Sequence, residues 1–343
     1  MKSAVALTLS VGLLGGCVTT PPNPKAGAPP HHLEVGFRNP NPEYSNRNRS
    51  SFFWMRRLLA ASVRPDPVVH LPREENDGSF LRANGTEATV TWVGHSTLLV
   101  QLEGVNLLTD PQWSRRASPV SFFGPKRFTE PGLGFEDLPR IDLVVISHDH
   151  YDHLDVATVI RLAEAHHPTF FVPLGLKGWF EELGITGVQE LDWWESRSFK
   201  HLTVTAVPAQ HFSGRTPWTR NLTLWAGWAI TGRTKRVYFA GCTGHYEGLK
   251  EIGRRLGPFD LAAIPIGPYM PGGVMRPHHT NPEEALQLFL DVRGKRFIPI
   301  HWGTFYLTDP EDEPIRRVEA EARRLDLDPR RLLFLRHGET RHW

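Results

Sequence analysis

The segment Ser147-His-Asp-His-Tyr-Asp-His153 sets three histidines and two aspartates within seven positions, directly after the apolar run Ile141-Asp-Leu-Val-Val-Ile146. The run reads as a buried strand, so the polar residues fall on the turn that leaves it. Imidazole and carboxylate are ligands for zinc-like divalent ions, and alternate residues at a strand end can point two imidazoles at one ion. The turn can then aim the following Asp and His at a second ion about 3.5–4 Å away. A lone His-x-His is more often a solvated polar turn, whereas His-x-His-x-Asp-His is far more specific. The segment reads as a metal site.

One turn does not supply enough ligands, so the rest should come from distant turns, each after its own strand. Leu202-Thr-Val-Thr-Ala-Val207 alternates like a strand and runs into Pro208-Ala-Gln-His211. Arg236-Val-Tyr-Phe-Ala240 leads into Gly241-Cys242-Thr243-Gly244, and Phe297-Ile-Pro-Ile300 ends at His301. Further strand-like runs lie at 88–93, 97–102, 105–109, 141–146, 222–230 and 260–264. Helical stretches interrupt them. One begins with Asp155 in the N-cap position, and another at Asn281 with Pro282, Glu283 and Glu284 in the first turn, as capping and dipole rules prefer.

This order of motifs resembles the metallo-β-lactamase superfamily, and within it the bacterial relatives of N-acyl-phosphatidylethanolamine-hydrolysing phospholipase D. The residues behind the resemblance are Thr91-Trp-Val-Gly-His-Ser-Thr97, Leu108-Thr-Asp-Pro111, Ser147 through Asp155 and Pro208 through His211. Phe239-Ala-Gly-Cys-Thr-Gly244, His279-Thr-Asn-Pro-Glu-Glu-Ala285 and Ile300-His-Trp-Gly-Thr-Phe305 complete it. The likeness spans roughly residues 50–340. It implies an α/β fold, the αββα sandwich of two central mixed sheets flanked by helices.

The resemblance also implies a ligand set. His148, His150 and His211 would hold one metal, and Asp152, His153 and His301 a second. Position 242 departs from the phospholipase-like pattern, which has a bridging aspartate where this chain has Cys242. A thiolate ligates the same ions, and the zinc β-lactamases that use a cysteine place it at this turn. Cys242 is therefore expected on the second metal, terminally or as a bridge, against the alternative of a small buried thiol. Thiolate softness favours zinc over iron or manganese, and seven candidate ligands suit two sites better than one, so two Zn2+ per chain are expected.

Two such ions would share a water, lower its pKa toward about 7 and provide hydroxide at neutral pH. Asp152 is expected to hold both a metal and the nucleophile's proton. His279, by resemblance, would assist catalysis or bind phosphate beside a helix start that favours an anion. Asp110 is expected to orient a ligand histidine; His95 reads equally as a metal neighbour or a structural histidine. Arg215, Lys126 and Arg127 are candidate headgroup contacts, though surface cations are usually just solvated. Trp193, Trp194, Trp218, Trp225 and Trp228 are candidates to line an acyl groove or to fill the core. The expected activity is that of a zinc-dependent phosphodiesterase, phospholipase D-like, on N-acyl-phosphatidylethanolamine-like membrane lipids. The alternatives are lactone, cyclic phosphodiester or β-lactam hydrolysis on the same ions, or a non-enzymatic envelope binding protein.

The first residues carry one lysine and a short apolar core ending Leu14-Gly-Gly-Cys17. The core falls short of the roughly 20 residues a bilayer span needs, and reads as a signal peptide. Leu14-Gly-Gly-Cys17 resembles a bacterial lipobox, giving a lipoprotein signal over 1–16, a lipidated Cys17 with a flexible tether to residue 50, and a hydrolase domain over 51–343. Val18 after that cysteine favours, by resemblance to diderm sorting rules, a periplasm-facing anchor in the outer membrane. Within 51–62, Phe52, Phe53 and Trp54 would touch the membrane or pack on the domain. Only two cysteines exist and both have these roles, so no intrachain disulfide is expected. A net charge of +2 gives no case for nucleic acid as a partner. Leu335-Arg-His-Gly-Glu-Thr340 matches a histidine-phosphatase signature in letters, but only three residues follow it, so it reads as chance.

Overall fold

In the computed structural model, residues 25–41, 56, 59–63, 71–307, 309 and 312–343 are described. The signal segment, Cys17, Phe52, Phe53 and Trp54 lie outside them.

Two sheets form the centre. The first runs β13-β1-β2-β3-β4-β5-β6, with β1 Thr89–Gly94, β2 Thr97–Leu102, β3 Val105–Thr109, β4 Leu143–Val145, β5 Thr169–Pro173, β6 Val188–Leu191 and β13 Thr340–His342. It is antiparallel from β13 to β3 and parallel from β3 to β6. The second runs β12-β11-β10-β9-β8-β7, with β7 Ser196–Phe199, β8 Leu202–Val207, β9 Gly227–Thr231, β10 Arg236–Phe239, β11 Leu261–Pro265 and β12 Phe297–Ile300. Here β10, β11 and β12 are parallel and the other pairs antiparallel.

Strand alternation sends one set of side chains inward and the other outward. Trp92, Val100, Val145, Trp225, Trp228, Phe239 and Ile300 meet between the sheets. On the outer face of the first sheet, Val144, Ile146, Phe170 and Val172 pack with Val159, Leu162 and Phe180 from the helices Val156–His166 and Lys177–Glu182. On the outer face of the second, Tyr238, Ala262 and Ile264 meet Ile252, Leu286, Phe289 and Val318 from the helices Leu249–Leu256, Pro282–Asp291 and Glu313–Arg324. The result is the four-layer αββα sandwich read from the sequence. The buried parallel strands are apolar on both faces, as a strand covered on both sides must be.

Several local expectations are corrected. The run at 222–230 becomes a strand only from Gly227, because before it the backbone N–H groups of Leu224 and Ala226 donate to the Leu174 and Ser147 carbonyls, just past β5 and β4 of the other sheet. Asp155 occupies the N-cap position but caps nothing. Its carboxylate accepts instead from Ser114 Oγ at 2.8 Å, Ser114 N at 3.0 Å and Thr158 Oγ1 at 2.5 Å, tying a loop to the helix. Asn281 does form the expected cap, reciprocated by Glu284. Within the stretch read as a tether, residues 25–41 pack on the domain, burying His31, Leu33 and Asn39. The histidine of Leu335–Thr340 is structural: His337 is buried against Trp92, with Nε2 3.1 Å from Thr304 Oγ1.

Candidate metal centre

The turns that follow β4 in the first sheet and the co-directional strands β8, β10 and β12 in the second carry the expected residues. β4 delivers His148, His150, Asp152 and His153. His211 follows β8, Cys242 follows β10, and His301 follows β12. The helix Pro282–Asp291 starts just after His279. Backbone in the left-handed region marks several of these junctions: φ is 34° at Asp110, 52° at His95 and 63° at His301. For residues other than glycine such angles cost free energy and persist where the surroundings impose them. At Gly241, with φ 60°, a Cβ would come within 2.5 Å of Ser147 Cβ, so only glycine lets the Cys242 turn close on the β4 turn.

The donors form two adjoining clusters. His148, His150 and His211 converge, with His148 Nε2 2.8 Å and His211 Nε2 3.4 Å from His150 Nδ1. Around the Asp152 carboxylate stand His95 Nε2 at 3.0 Å and the Nε2 atoms of His153 and His301, each at 3.3 Å. Cys242 joins the two: its thiol lies 3.3 Å from His153 Nε2, and it groups with His148 on one side and with His279 and His301 on the other. Sequence reading left His95 undecided; the fold brings it to Asp152 across 57 positions.

A second layer orients these groups. Asp110 accepts from Ser147 N at 2.6 Å, from Ser147 Oγ at 2.5 Å and from His153 Nδ1 at 2.6 Å. That fixes the His153 tautomer with Nε2 facing the cluster. His211 Nδ1 donates to the His278 carbonyl at 2.8 Å, and its backbone N–H donates to Asn39 Oδ1 at 2.9 Å. Asp149 accepts from Gly214 N at 2.6 Å and Thr223 Oγ1 at 3.2 Å, holding the 213–223 loop beside the site.

Electrostatics separates the two clusters. Burial pushes His150 down to about 3 and His148 and His211 well below the usual imidazole range, so all three are neutral lone-pair donors. At the other cluster burial is outweighed by charge. Burial pulls His153 and His301 down, but Cys242 and Asp152 raise His153 well above the ordinary value and His301 to about 9. Burial lifts Cys242 and Asp152, yet His153 brings both below their usual ranges. This is the donor chemistry of a divalent site: a neutral imidazole trio beside a thiol, a carboxylate and two imidazoles sharing protons that a cation would replace. His95 and His301 also bury Nδ1 atoms without a hydrogen-bond partner.

Arg127 and Arg215 are redirected from the headgroup contacts for which they were candidates, and three of the tryptophans take the core alternative. Arg127 is buried, donating to the Gln112 carbonyl at 2.7 Å and to Gln112 Oε1 at 2.5 Å. Arg215 donates to the carbonyls of Asp149 and Leu154 and covers the Tyr151 ring. Their guanidiniums hold loops together, because backbone carbonyls left by those turns need donors. Trp193, Trp225 and Trp228 fill the core, whereas Trp218 is 84% exposed.

Residues 105–302 match the β-lactamase superfamily domain. A Caenorhabditis elegans protein, "N-acyl-phosphatidylethanolamine-hydrolyzing phospholipase D 1", is 48% identical over 240 residues, 65% of this chain and 67% of its own. A UPF0173 metal-dependent hydrolase of Methanopyrus kandleri is 28% identical, over 73% of this chain and 98% of that one. Among solved structures, a metallo hydrolase from Ignicoccus hospitalis superposes with a TM-score of 0.57 at 23% identity, covering 75% of this chain and 99% of that one. Family and fold thus define a metal-dependent hydrolase. The chain belongs to the metallo-β-lactamase superfamily.

Proposed function

We propose that the chain is a zinc-dependent phosphodiesterase of phospholipase D type, acting on N-acyl-phosphatidylethanolamine-like lipids. The observation that carries the reading is the 48% identity to the nematode phospholipase across a stretch of this length. His148, His150 and His211 would hold one ion, and Asp152, His153, His301 and Cys242 the second. A thiolate with imidazoles favours zinc. When bound, such ions supply Lewis acidity toward a phosphoryl oxygen and lower the pKa of a water.

The chain's own groups do the rest. Asp110 and Ser147 hold the β4 turn and the His153 ring in place. Hydrolysis joins a water oxygen to phosphorus and breaks the P–O bond to the headgroup alkoxide. The ionised Asp152 carboxylate takes a proton from the water, and His279 gives one to the departing alkoxide. The N-terminus of Pro282–Asp291 lies beside His279 and favours the anionic phosphate. Lipidation at Cys17 would confine this chemistry to the surface that bears the substrate. Among the described residues no helix is long and apolar enough to cross a membrane.

The test is product analysis on vesicles containing N-acyl-phosphatidylethanolamine, with and without a chelator, beside a lactone, a β-lactam and a cyclic phosphodiester. Chelator-sensitive release of N-acylethanolamine and phosphatidate supports the reading. Turnover of another substrate with the lipid untouched replaces it by a different hydrolase of the same fold.

A further inference from the structure

A second group of metal-type donors lies outside the catalytic cluster and shares no residue with it. His31 Nε2 stands 2.6 Å from Asp192 Oδ1, and His32 Nε2 stands 2.7 Å from Asp192 Oδ2. The three donor atoms lie within 4.8 Å of one another. Consecutive residues of extended chain point their side chains in opposite directions. Here the turn at Pro29–His32 and the bridge between His32 and Phe37 bring both rings to one carboxylate. The His31 ring is also stacked on Trp193, with centroids 4.2 Å apart, which fixes its direction. Asp192 sits in the turn between β6 and β7, its Oδ1 anchored by Trp193 N at 2.7 Å. The side chains are 10%, 16% and 13% exposed, so water reaches the group and can complete a coordination sphere.

We propose that His31, His32 and Asp192 form a structural binding site for a zinc-class divalent ion, a clip that pins residues 25–41 to the turn where the chain passes from β6 of the first sheet to β7 of the second. Two imidazoles and a carboxylate are a donor set that suits such ions. The clip acts on the catalytic site through the segment it holds. Phe37, the bridge partner of His32, donates its N–H to the Asn221 carbonyl at 2.9 Å, and two residues on, Asn39 Oδ1 accepts from the backbone N–H of His211. Gly36 permits this path, because a Cβ there would stand 2.3 Å from the Asn221 carbonyl oxygen. The ion would therefore steady the loop that carries a catalytic-cluster histidine without touching substrate.

The experiment loads the full chain with zinc, removes excess by gel filtration and counts zinc by elemental analysis in wild type, His32→Gln and His148→Ala. His32→Gln keeps the His31–Asp192 pair and so the fold; Asp192→Asn serves as a second variant. The expected result is one zinc fewer per chain in His32→Gln and in Asp192→Asn, with the catalytic cluster's zinc unchanged. His148→Ala should lose catalytic-cluster zinc and keep the clip's. A further readout is zinc-dependent resistance of residues 25–41 to limited proteolysis, present in wild type and His148→Ala and absent in His32→Gln. Equal zinc in wild type and both clip variants, or an ion that competitor dialysis strips from all of them alike, would overturn the proposal and leave a hydrogen-bonded triad.

Discussion

At the scale of single residues, Cys242 and Asp110 do different work and their variants should separate it. Cys242 lies between the clusters, so if each holds an ion as proposed, Cys242→Ala should weaken binding at the Asp152 cluster and spare the cluster of His148, His150 and His211. Cys242→Asp should retain both, since a carboxylate also ligates. Zinc stoichiometry and turnover for the pair measure this, and unchanged zinc affinity and activity in Cys242→Ala would reduce the thiol to packing. Asp110 is fully buried. It accepts three hydrogen bonds, from His153 Nδ1 and from the backbone N–H and the hydroxyl of Ser147, two of them at a single oxygen. Asp110→Asn puts an amide where an oxygen accepted from His153, so the ring loses its orientation. A loss of roughly 10–100-fold in zinc affinity or kcat/KM is expected, with secondary structure by circular dichroism unchanged. Both residues were legible in the sequence because each ends a strand beside a motif. His95 was legible only as one of two equal readings, since nothing in Gly94-His-Ser decides that its ring will meet Asp152.

Among the elements, the ligand turn after β10 is tied down by the helix Pro282–Asp291. His245 Nε2 meets Asp291 Oδ2 at 2.9 Å, and Gln287 donates to Asp291 Oδ1 at 2.8 Å. Burial raises the Asp291 carboxyl, but these hydrogen bonds outweigh it and hold its pKa below the usual range. A depressed folded pKa means stability that is fully present above the unfolded value, about 3.9, and lost as pH falls through the folded one. Wild type should therefore exceed Asp291→Ala by about 1–3 kcal/mol near pH 6. The gap should shrink as the pH drops below about 4. Denaturant midpoints at the two pH values check it, and a gap independent of pH would contradict the assignment. Strand legibility followed burial. The runs ending at ligand turns stood out because they are apolar or alternate cleanly. β7 has three exposed residues in four, and β13 is Thr-Arg-His, so neither carries a hydrophobic signal. β5 is apolar, but Pro168 and Pro173 read as punctuation around it. The Pro- and Asn-rich composition of 25–41 suggested a tether because composition records average polarity, and the specific partners of His31 and Asn39 escape it.

For the whole molecule, the proposed lipid anchor makes a cellular prediction. Wild type should fractionate with membranes, and Cys17→Ser should yield no anchored mature form. A variant processed and distributed like wild type would remove the lipobox from the account. Chelation should abolish turnover without dispersing the two sheets, whose core between them is apolar and independent of any ligand. That sheet pair has one seam made late. β13 closes the first sheet by pairing with β1, Thr89 opposite His342 and Thr91 opposite Thr340. During synthesis β1 leaves the ribosome long before its partner, so its outer row of N–H and C=O groups stays bare while almost everything else is being made. An open edge of this kind recruits stray strands. Until residues 340–342 arrive, β1 is such an edge, and the late strand is what caps it.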